Sequence, residues 1–349
     1  MREFIIGENE AGQRFDKYLA KLLRDAPKSF FYKMLRKKNI TLNGKKAQGS
    51  EKLSAGDHVK LFFSEETFEK FSGKQEVAKA VCPLDILYED EDIVLVVKPS
   101  GMLSQPADGK EPSLVEYLIG YLMEKGEVTQ ESLRTFRPSV CNRLDRNTSG
   151  IVAAGKSLAG LQELSALFHD RRIHKDYLCL VRGVIKKRKD IKGYLHKDEK
   201  CNKVVLYDSK REGALPVETE YTPWGDNGAE TLVSVRLITG RTHQIRAHLA
   251  SEGHPLAGDG KYGTEAFNRQ FRERGLHYQL LHAYRLEFPK ISGKLAHLSG
   301  RVFYAGVPEE FLKIIREEHL EESYYENLER DSGLCEDDHH RGHRSDACK

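Results

Sequence analysis

Apolar residues along the chain fall into short runs whose spacing alternates between helical and extended. Phe15, Leu19, Leu22 and Leu23 recur on one helical face and predict a first helix, which Pro27 ends. Phe30, Phe31, Met34 and Leu35 supply the stripe of a second. Ile40-Thr41-Leu42 leading into Asn43-Gly44 reads as a strand entering a hairpin, and Val59-Lys60-Leu61-Phe62 as a closing strand. Residues 65–80 are polar, rich in Glu, Lys and Ser, and lack periodicity, which reads as a linker.

Further on, Ile93 to Val97 has the composition of a buried strand, broken by Lys98-Pro99-Ser100-Gly101. Ile151 to Ala154, Tyr177 to Val181, Val204 to Tyr207 and Leu232 to Ile238 are further strands. Leu158, Leu161, Leu164, Ala166 and Phe168 mark a helix between two of them. The elements lack the regular beat of strand-helix-strand crossovers. The predicted fold class is therefore α+β: a mixed, mainly antiparallel sheet over residues 81–316 and a small α+β domain over residues 1–64.

Composition narrows the functional classes. The 349 residues are 39% hydrophobic and 31% charged, with 29 Gly and 11 Pro, which excludes collagen-like and disordered chains and is ample for two domains. The longest aliphatic run, Ile93 to Val97, is far short of the roughly 20 residues that span a bilayer, so no membrane association is expected. Met1 to Glu10 holds no hydrophobic segment of the secretory kind, and a cytoplasmic protein is expected. Cys82, Cys141, Cys179, Cys201, Cys335 and Cys348 form no C-x-x-C pair, which suits reduced thiols.

The formal net charge of +3 conceals an asymmetry. Residues 1–64 hold 14 Lys+Arg against 7 Asp+Glu, or +7, and residues 317–349 hold 4 against 11, or −7. A basic small domain, a balanced large one and an acidic tail, expected to be disordered, are what these numbers describe. The basic residues Lys28, Lys33, Arg36, Lys37 and Lys38 fall on the outer surface of the second helix and just beyond it. Taken alone, such a face is equally a solvated surface or a phosphate-binding one. The run from Gly12 to Phe63, with its helix pair, Lys-x-x-Arg-Lys-Lys stretch, Ile-Thr-Leu-Asn-Gly-Lys hairpin and Leu-Ser-Ala-Gly-Asp segment, resembles the RNA-binding domain named after the fourth protein of the small ribosomal subunit. That resemblance implies RNA contact through shape and phosphates.

The large domain lacks H-E-x-x-H and the G-x-S-x-G elbow. His243 and His248, five apart, do not share a helical face as two zinc ligands would. What stands out is the polar loop Asn142-Arg143-Leu144-Asp145-Arg146-Asn147-Thr148-Ser149-Gly150, immediately before the strand at Ile151. An aspartate between two arginines is a carboxylate with cations on either side. It can act as a nucleophile, stabilise positive charge at a sugar's anomeric carbon, or simply order the loop by pairing with an arginine.

Arg143-Leu144-Asp145-x-x-Thr148-Ser149-Gly150 resembles the signature of RNA pseudouridine synthases of the RluA type. Three further segments are similar to motifs of that family, in order. They are Ile86 to Asp90 with Val97-Lys98-Pro99-x-Gly101-Met102; His174-Lys175-x-Tyr177-x-x-Leu180-Val181-x-Gly183; and Thr239 to His248 with Gly253-His254-Pro255-Leu256-x-Gly258-Asp259. Leu281-His282-Ala283 completes the set. The resemblance implies an isomerase that needs no cofactor and works on RNA, with large-subunit ribosomal RNA the expected substrate and a monomer the expected form. It also implies that Asp145 is the catalytic carboxylate, that Arg246 pairs with it and that Tyr177 stacks on the target base. Arg143, Arg146, Arg241 and His243 are then candidates for holding phosphates around the reacting nucleotide. One departure is Asn142, where the family commonly has His; loop geometry or substrate preference is expected to change before activity does. Two rival readings follow from the residues alone: a non-catalytic RNA-binding or ribosome-assembly factor, which an intact Asp145, Tyr177 and Arg246 argue against, and a zinc site in the tail from Cys335, His339, His340, His343 and Cys348, whose spacing is not that of a ligand set. No metal is expected.

Overall fold

A computed structural model describes residues 1–73, 82–107, 111–198 and 203–332. The N-terminal part runs β1 (Arg2–Ile5), α1 (Phe15–Leu22), α2 (Lys28–Arg36), β2 (Ile40–Leu42), β3 (Lys45–Lys46), β4 (His58–Leu61) and α3 (Glu65–Ser72). Its strands form an antiparallel sheet in the order β1-β4-β2-β3. Asn43 and Gly44 both take positive φ, 51° and 71°, as a two-residue hairpin turn requires. Phe15, Leu19, Leu22, Phe31, Leu35, Ile40, Val59 and Leu61 meet in one core beneath the sheet. Lys28, Lys33, Arg36, Lys37 and Lys38 are all exposed on and after α2.

The segment read as a linker is in part a helix. Ser64 caps α3 by accepting from Thr67 N at 3.2 Å, and Glu65 and Glu66 favour its positive end. Phe68 stacks on Phe4 with centroids 5.9 Å apart, and Phe71 meets Phe30 at 4.5 Å. The polar composition hid this two-aromatic stripe, which is enough to dock one short helix; residues 74–80 lie outside the described residues.

The large part contains β5 (Asp85–Glu89), β6 (Ile93–Lys98), α4 (Leu114–Glu124), β7 (Ser139–Val140), β8 (Ser149–Gly155), α5 (Leu158–His169), β9 (His174–Arg182), β10 (Lys189–Asp198), β11 (Lys203–Tyr207), β12 (Leu215–Asp226) and β13 (Glu230–Leu237). There follow α6 (Gln244–Ser251), α7 (Glu265–Glu273), β14 (Leu281–Glu287), β15 (Val302–Tyr304), α8 (Glu309–Glu317) and α9 (Glu321–Ser332). The main path through the sheet is β11-β10-β12-β13-β9-β14-β8-β6-β5, with β15 beside β14 and β7 beside β8. Every pairing is antiparallel except β14 with β8, so the sheet is mixed and mainly antiparallel, as the sequence predicts.

That one parallel pairing sits at the sheet's centre, where β8 emerges from the Asp145 loop. Gly150, at φ 115°, makes it possible, because a Cβ there would lie 2.3 Å from Ala283 O. Side chains alternate across the sheet. Val94, Val96, Val152, Tyr177, Cys179 and Val235 pack under α4 and α6 on one face. Ile93, Leu95 and Ile151 meet α5 on the other face, where Leu178, Leu180 and Leu232 meet α7 and α8. The candidate site belongs to the α4–α6 face.

The acidic tail is likewise ordered over its first half. Tyr324 of α9 is buried, Tyr284 Oη donates to Asp331 Oδ2 at 2.9 Å, Tyr304 Oη donates to Asp331 O at 2.7 Å, and Asn327 donates to Trp224 O at 3.0 Å. Net charge concealed an apolar stripe of Leu320, Tyr324 and Leu328 at fourfold spacing. Residues 333–349, with the Cys and His cluster, lie outside the described residues.

Candidate active site

Asp145 sits midway along the loop between β7 and β8, and the loop is fastened at both ends before any ligand arrives. Upstream, Asn142 acts as an extra rung of the sheet: its Oδ1 accepts from Ala153 N at 2.8 Å and its amide donates to Ile151 O at 3.2 Å. Its side chain here serves loop geometry. Leu144 is held by Ser104, whose Oγ donates to Leu144 O at 2.8 Å and accepts from Leu144 N at 3.0 Å. Downstream, Gly101 N donates to Arg146 O at 2.9 Å. Beneath lies Lys98, fully buried, whose three ammonium protons match three carbonyls: Pro99 O at 2.8 Å, Met102 O at 2.8 Å and Arg146 O at 3.1 Å. Burial pushes its pKa down to about 7, and the Asp145 carboxylate pulls it back up.

With its backbone fixed, Asp145 aims its carboxylate into a cleft of about 1000 Å³. Arg246 Nη1 of α6 donates to Asp145 Oδ2 at 3.1 Å. The same guanidinium grips Asp259 two-pronged, through Nε at 2.7 Å and Nη2 at 2.8 Å. Asp259 is fully buried, and the Lys261 and Tyr262 amides donate to its Oδ1 at 2.8 and 3.1 Å. Arg246 is thus clamped from behind and extends its remaining arm to Asp145, so the carboxylate is oriented by a cation that cannot swing away. Tyr177, in the middle of β9, is 5% exposed and lines the cleft. Burial, and then the nearby carboxylates of Asp145 and Asp176, push its phenol pKa up, so it stays a neutral ring.

The remaining candidates occupy different stations. Arg143 and Arg241 line the cleft; Arg143 is exposed, and Arg241 has a buried Nε–H without a hydrogen-bond partner. Arg146 lines it too, but spends Nε on Gly101 O at 3.0 Å and Nη2 on Glu111 at 2.8 Å. The arginine paired with Asp145 is therefore Arg246, not either chain neighbour. His243 starts α6 in the left-handed conformation, with Nε2 3.9 Å from Asp145 Oδ2 and Nδ1 3.0 Å from Tyr262 Oη. Its ring is nearly covered, and burial lowers its pKa, so it enters the site as a neutral imidazole rather than a phosphate-binding cation.

Residues 92–251 match the family described as RNA pseudouridylate synthase. The ribosomal large subunit pseudouridine synthase C of Pasteurella multocida (strain Pm70) is 35% identical over 296 residues, covering 82% of this chain and 86% of its own length. The chain belongs to the RNA pseudouridylate synthase family. The protein of the same name from Escherichia coli (strain K12) is 34% identical over 299 residues, covering 81% of this chain and 87% of its own. The human RNA pseudouridylate synthase domain containing 4 shares the fold, with a TM-score of 0.52 at 20% identity over 66% of this chain and 92% of its own. Like other pseudouridylate synthases the protein is an isomerase acting on uridine in RNA.

Two residues that support this site, Asp259 and Lys98, stand in the sequence as members of the quoted motifs, with no role of their own legible there. No helix among the described residues is long and apolar enough to cross a membrane, and no cluster of three or more His, Cys, Asp or Glu there is placed to hold a metal ion.

Proposed function

We propose that this pseudouridylate synthase converts uridine in large-subunit ribosomal RNA, with Asp145 as its catalytic carboxylate. The observation that carries the reading is the single guanidinium of Arg246, clamped by Asp259 and presenting Asp145 to a cleft lined by Tyr177. The reaction breaks the bond between C1′ and N1, turns the uracil, and joins C5 to C1′; the proton on C5 leaves and N1 gains one. No atom is added and no electron is transferred, so the side chains need only hold charges and move protons. Asp145 either bonds to the sugar carbon or takes a sugar proton on the way to a glycal, and both routes require a carboxylate held against C1′ and C2′. Arg246 keeps that carboxylate charged and aimed. Tyr177, apolar in face and protonated, stacks on the freed uracil while it rotates.

The target base must first leave its own stack, which costs a few kcal/mol and least where the RNA is unpaired. Arg143 and Arg241, which line the cleft, meet the phosphates on either side of the extruded nucleotide. The exposed ridge of Lys28, Lys33, Arg36, Lys37 and Lys38 adds affinity that does not depend on base sequence. The substrate assignment rests on the relatives, which bear the name of the ribosomal large subunit and cover most of this chain. Mapping pseudouridine in ribosomal RNA from cells with and without the gene tests it: loss of one or more large-subunit positions is expected, and loss confined to transfer RNA overturns the assignment.

A further inference from the structure

His243 holds a backbone conformation that residues other than Gly seldom take, φ 53° and ψ 17°, at the step into α6. Such strain persists only where the surroundings impose it, and here the neighbouring Gln244 does. Its buried side chain accepts through Oε1 from Thr239 Oγ1 at 2.8 Å and from Arg241 N at 3.1 Å. Its Nε2 donates to Glu218 O and Thr219 Oγ1 of β12, both at 2.9 Å. One amide therefore ties the turn over residues 239–243 to the sheet, and the strained step sets the direction in which the imidazole leaves α6. That direction brings Nε2 to 3.9 Å from Asp145 Oδ2.

The two ring nitrogens have different partners. Nδ1 lies 3.0 Å from Tyr262 Oη, and that hydroxyl already accepts from Val204 N at 3.0 Å. Tyr262 has one proton to give, and among the described residues Nδ1 is the acceptor placed to take it. The hydroxyl therefore donates to Nδ1. A neutral imidazole that accepts at one nitrogen carries its proton on the other, so Nε2–H, not a lone pair, faces the Asp145 carboxylate. The opposite tautomer would set a bare nitrogen lone pair against a carboxylate oxygen and leave the Tyr262 proton without an acceptor.

We infer that His243 is a positioning residue for Asp145: its Nε2–H closes onto Oδ2 when RNA fills the cleft, joins Arg246 Nη1 on that oxygen, and leaves Oδ1 as the oxygen that meets the sugar. The inference rests on the reading of Asp145 as the catalytic carboxylate. At 3.9 Å the pair is about 1 Å short of a hydrogen bond, slack of the kind that catalytic contacts show before substrate arrives. Arg246, anchored at Asp259, has one arm for Oδ2, at 3.1 Å. A single contact leaves a carboxylate free to turn about it, and a second donor on the same oxygen stops that rotation. The chain from Val204 N through Tyr262 and His243 thus fastens Asp145 to β11, as Arg246 fastens it to Asp259.

The test compares wild type with His243→Asn, His243→Gln and Tyr262→Phe on transcribed large-subunit ribosomal RNA. Asn tolerates the left-handed backbone and puts its amide where Nδ1 stood, short of Asp145; Gln reaches the place of Nε2 with an N–H. His243→Asn is expected to lower kcat about tenfold or more with KM changed less than about threefold, and His243→Gln to regain at least about threefold of that loss. A merely structural ring would give the reverse order, because Asn suits φ 53° better than Gln. Tyr262→Phe keeps its ring beside the Arg246 guanidinium, 5.3 Å away, and removes only the hydroxyl that fixes the tautomer; kcat should fall about threefold or more. Nitrogen-15 NMR of the histidine rings reads that tautomer directly, the His243 signal being the one His243→Asn loses: a bare Nδ1 and a protonated Nε2 are expected. Wild-type kcat in His243→Asn, a Gln variant no faster than Asn, or a proton on Nδ1 alone overturns the inference. Turnover by Asp145→Asn at the wild-type rate would overturn the reading of Asp145 and the inference with it, a result told apart from the others because it involves no change at His243.

Discussion

Arg246 serves two carboxylates at once, and the division of labour between them is unequal. Asp259 takes two of its nitrogens at 2.7 and 2.8 Å from a fully buried position, whereas Asp145 receives one at 3.1 Å and keeps its other oxygen for the cleft. Removing Asp259 leaves a buried guanidinium with half its partners, which loosens the aim of Asp145 as well as the fold. Asp259→Asn is therefore expected to lower kcat about tenfold or more with KM changed less than about threefold. A folded variant turning over at the wild-type rate would show that Arg246 needs no second carboxylate. His282 carries a different consequence. It is fully buried beside the parallel pairing, accepting from or donating to Ser149 Oγ at 2.8 Å and meeting Ala305 O at 3.2 Å. Since Ala305 O only accepts, Nε2 bears a proton, and with burial keeping the ring neutral Nδ1 accepts from Ser149 Oγ. Burial pushes its pKa down to about 4 from 6.5, so the unfolded chain takes up a proton first as pH falls. The stability it contributes is complete above pH about 6.5 and is lost progressively toward pH 4, about 3 kcal/mol in all. His282→Gln, which can still donate and accept, should lose about 2 kcal/mol less than wild type between pH 7 and pH 5 in urea unfolding. Equal losses would contradict a neutral buried ring.

At the scale of elements, α9 couples the end of the described chain to the catalytic strand. Asp331 receives Tyr284 and Tyr304, Arg285 lies 3.4 Å from it, and Arg285 also donates to Asp176 at 2.7 Å, next to Tyr177. Deleting residues 319–349 strips Trp224, Tyr284 and Tyr304 of cover and should cost about 3 kcal/mol or more, seen as a lower melting temperature. An unchanged melting temperature would make α9 an ornament of the fold. Elements of this kind are also where sequence reading fell short. Strands β6, β8, β9 and β13 hold apolar runs buried on both faces, and such runs announce themselves. Helices α3 and α9 are held by two or three apolar side chains amid Glu and Lys, and composition averages that stripe away. The Asp145 loop is legible as a motif, and its pairing with Arg246, 101 residues on, is made by the fold and is legible only through the family resemblance.

The whole molecule joins a basic module to an isomerase domain through few but specific contacts. Asn9 Oδ1 accepts from Leu158 N at the start of α5 at 2.9 Å, Thr135 donates to Glu10 at 2.7 Å, and the Arg134 guanidinium lies 5.3 Å over the ring of Phe68. The module is thereby set beside α5, the helix that follows β8, and in the proposed function its cations and the arginines of the cleft serve one strand of RNA. The net charge of +3 gives no hint of this, because 33 residues at one end offset 64 at the other. The central claim is that one carboxylate performs the isomerisation while the rest of the surface holds the RNA. Asp145→Asn keeps the side chain's shape and leaves Arg246 in the grip of Asp259, so the cleft survives. The direct measurement is tritium release from ribosomal RNA labelled at uracil C5, taken beside filter binding of the same RNA. Release no greater than the enzyme-free background, with affinity within about twofold of wild type, is the predicted result; release at about a tenth of the wild-type rate or more would contradict the assignment of Asp145.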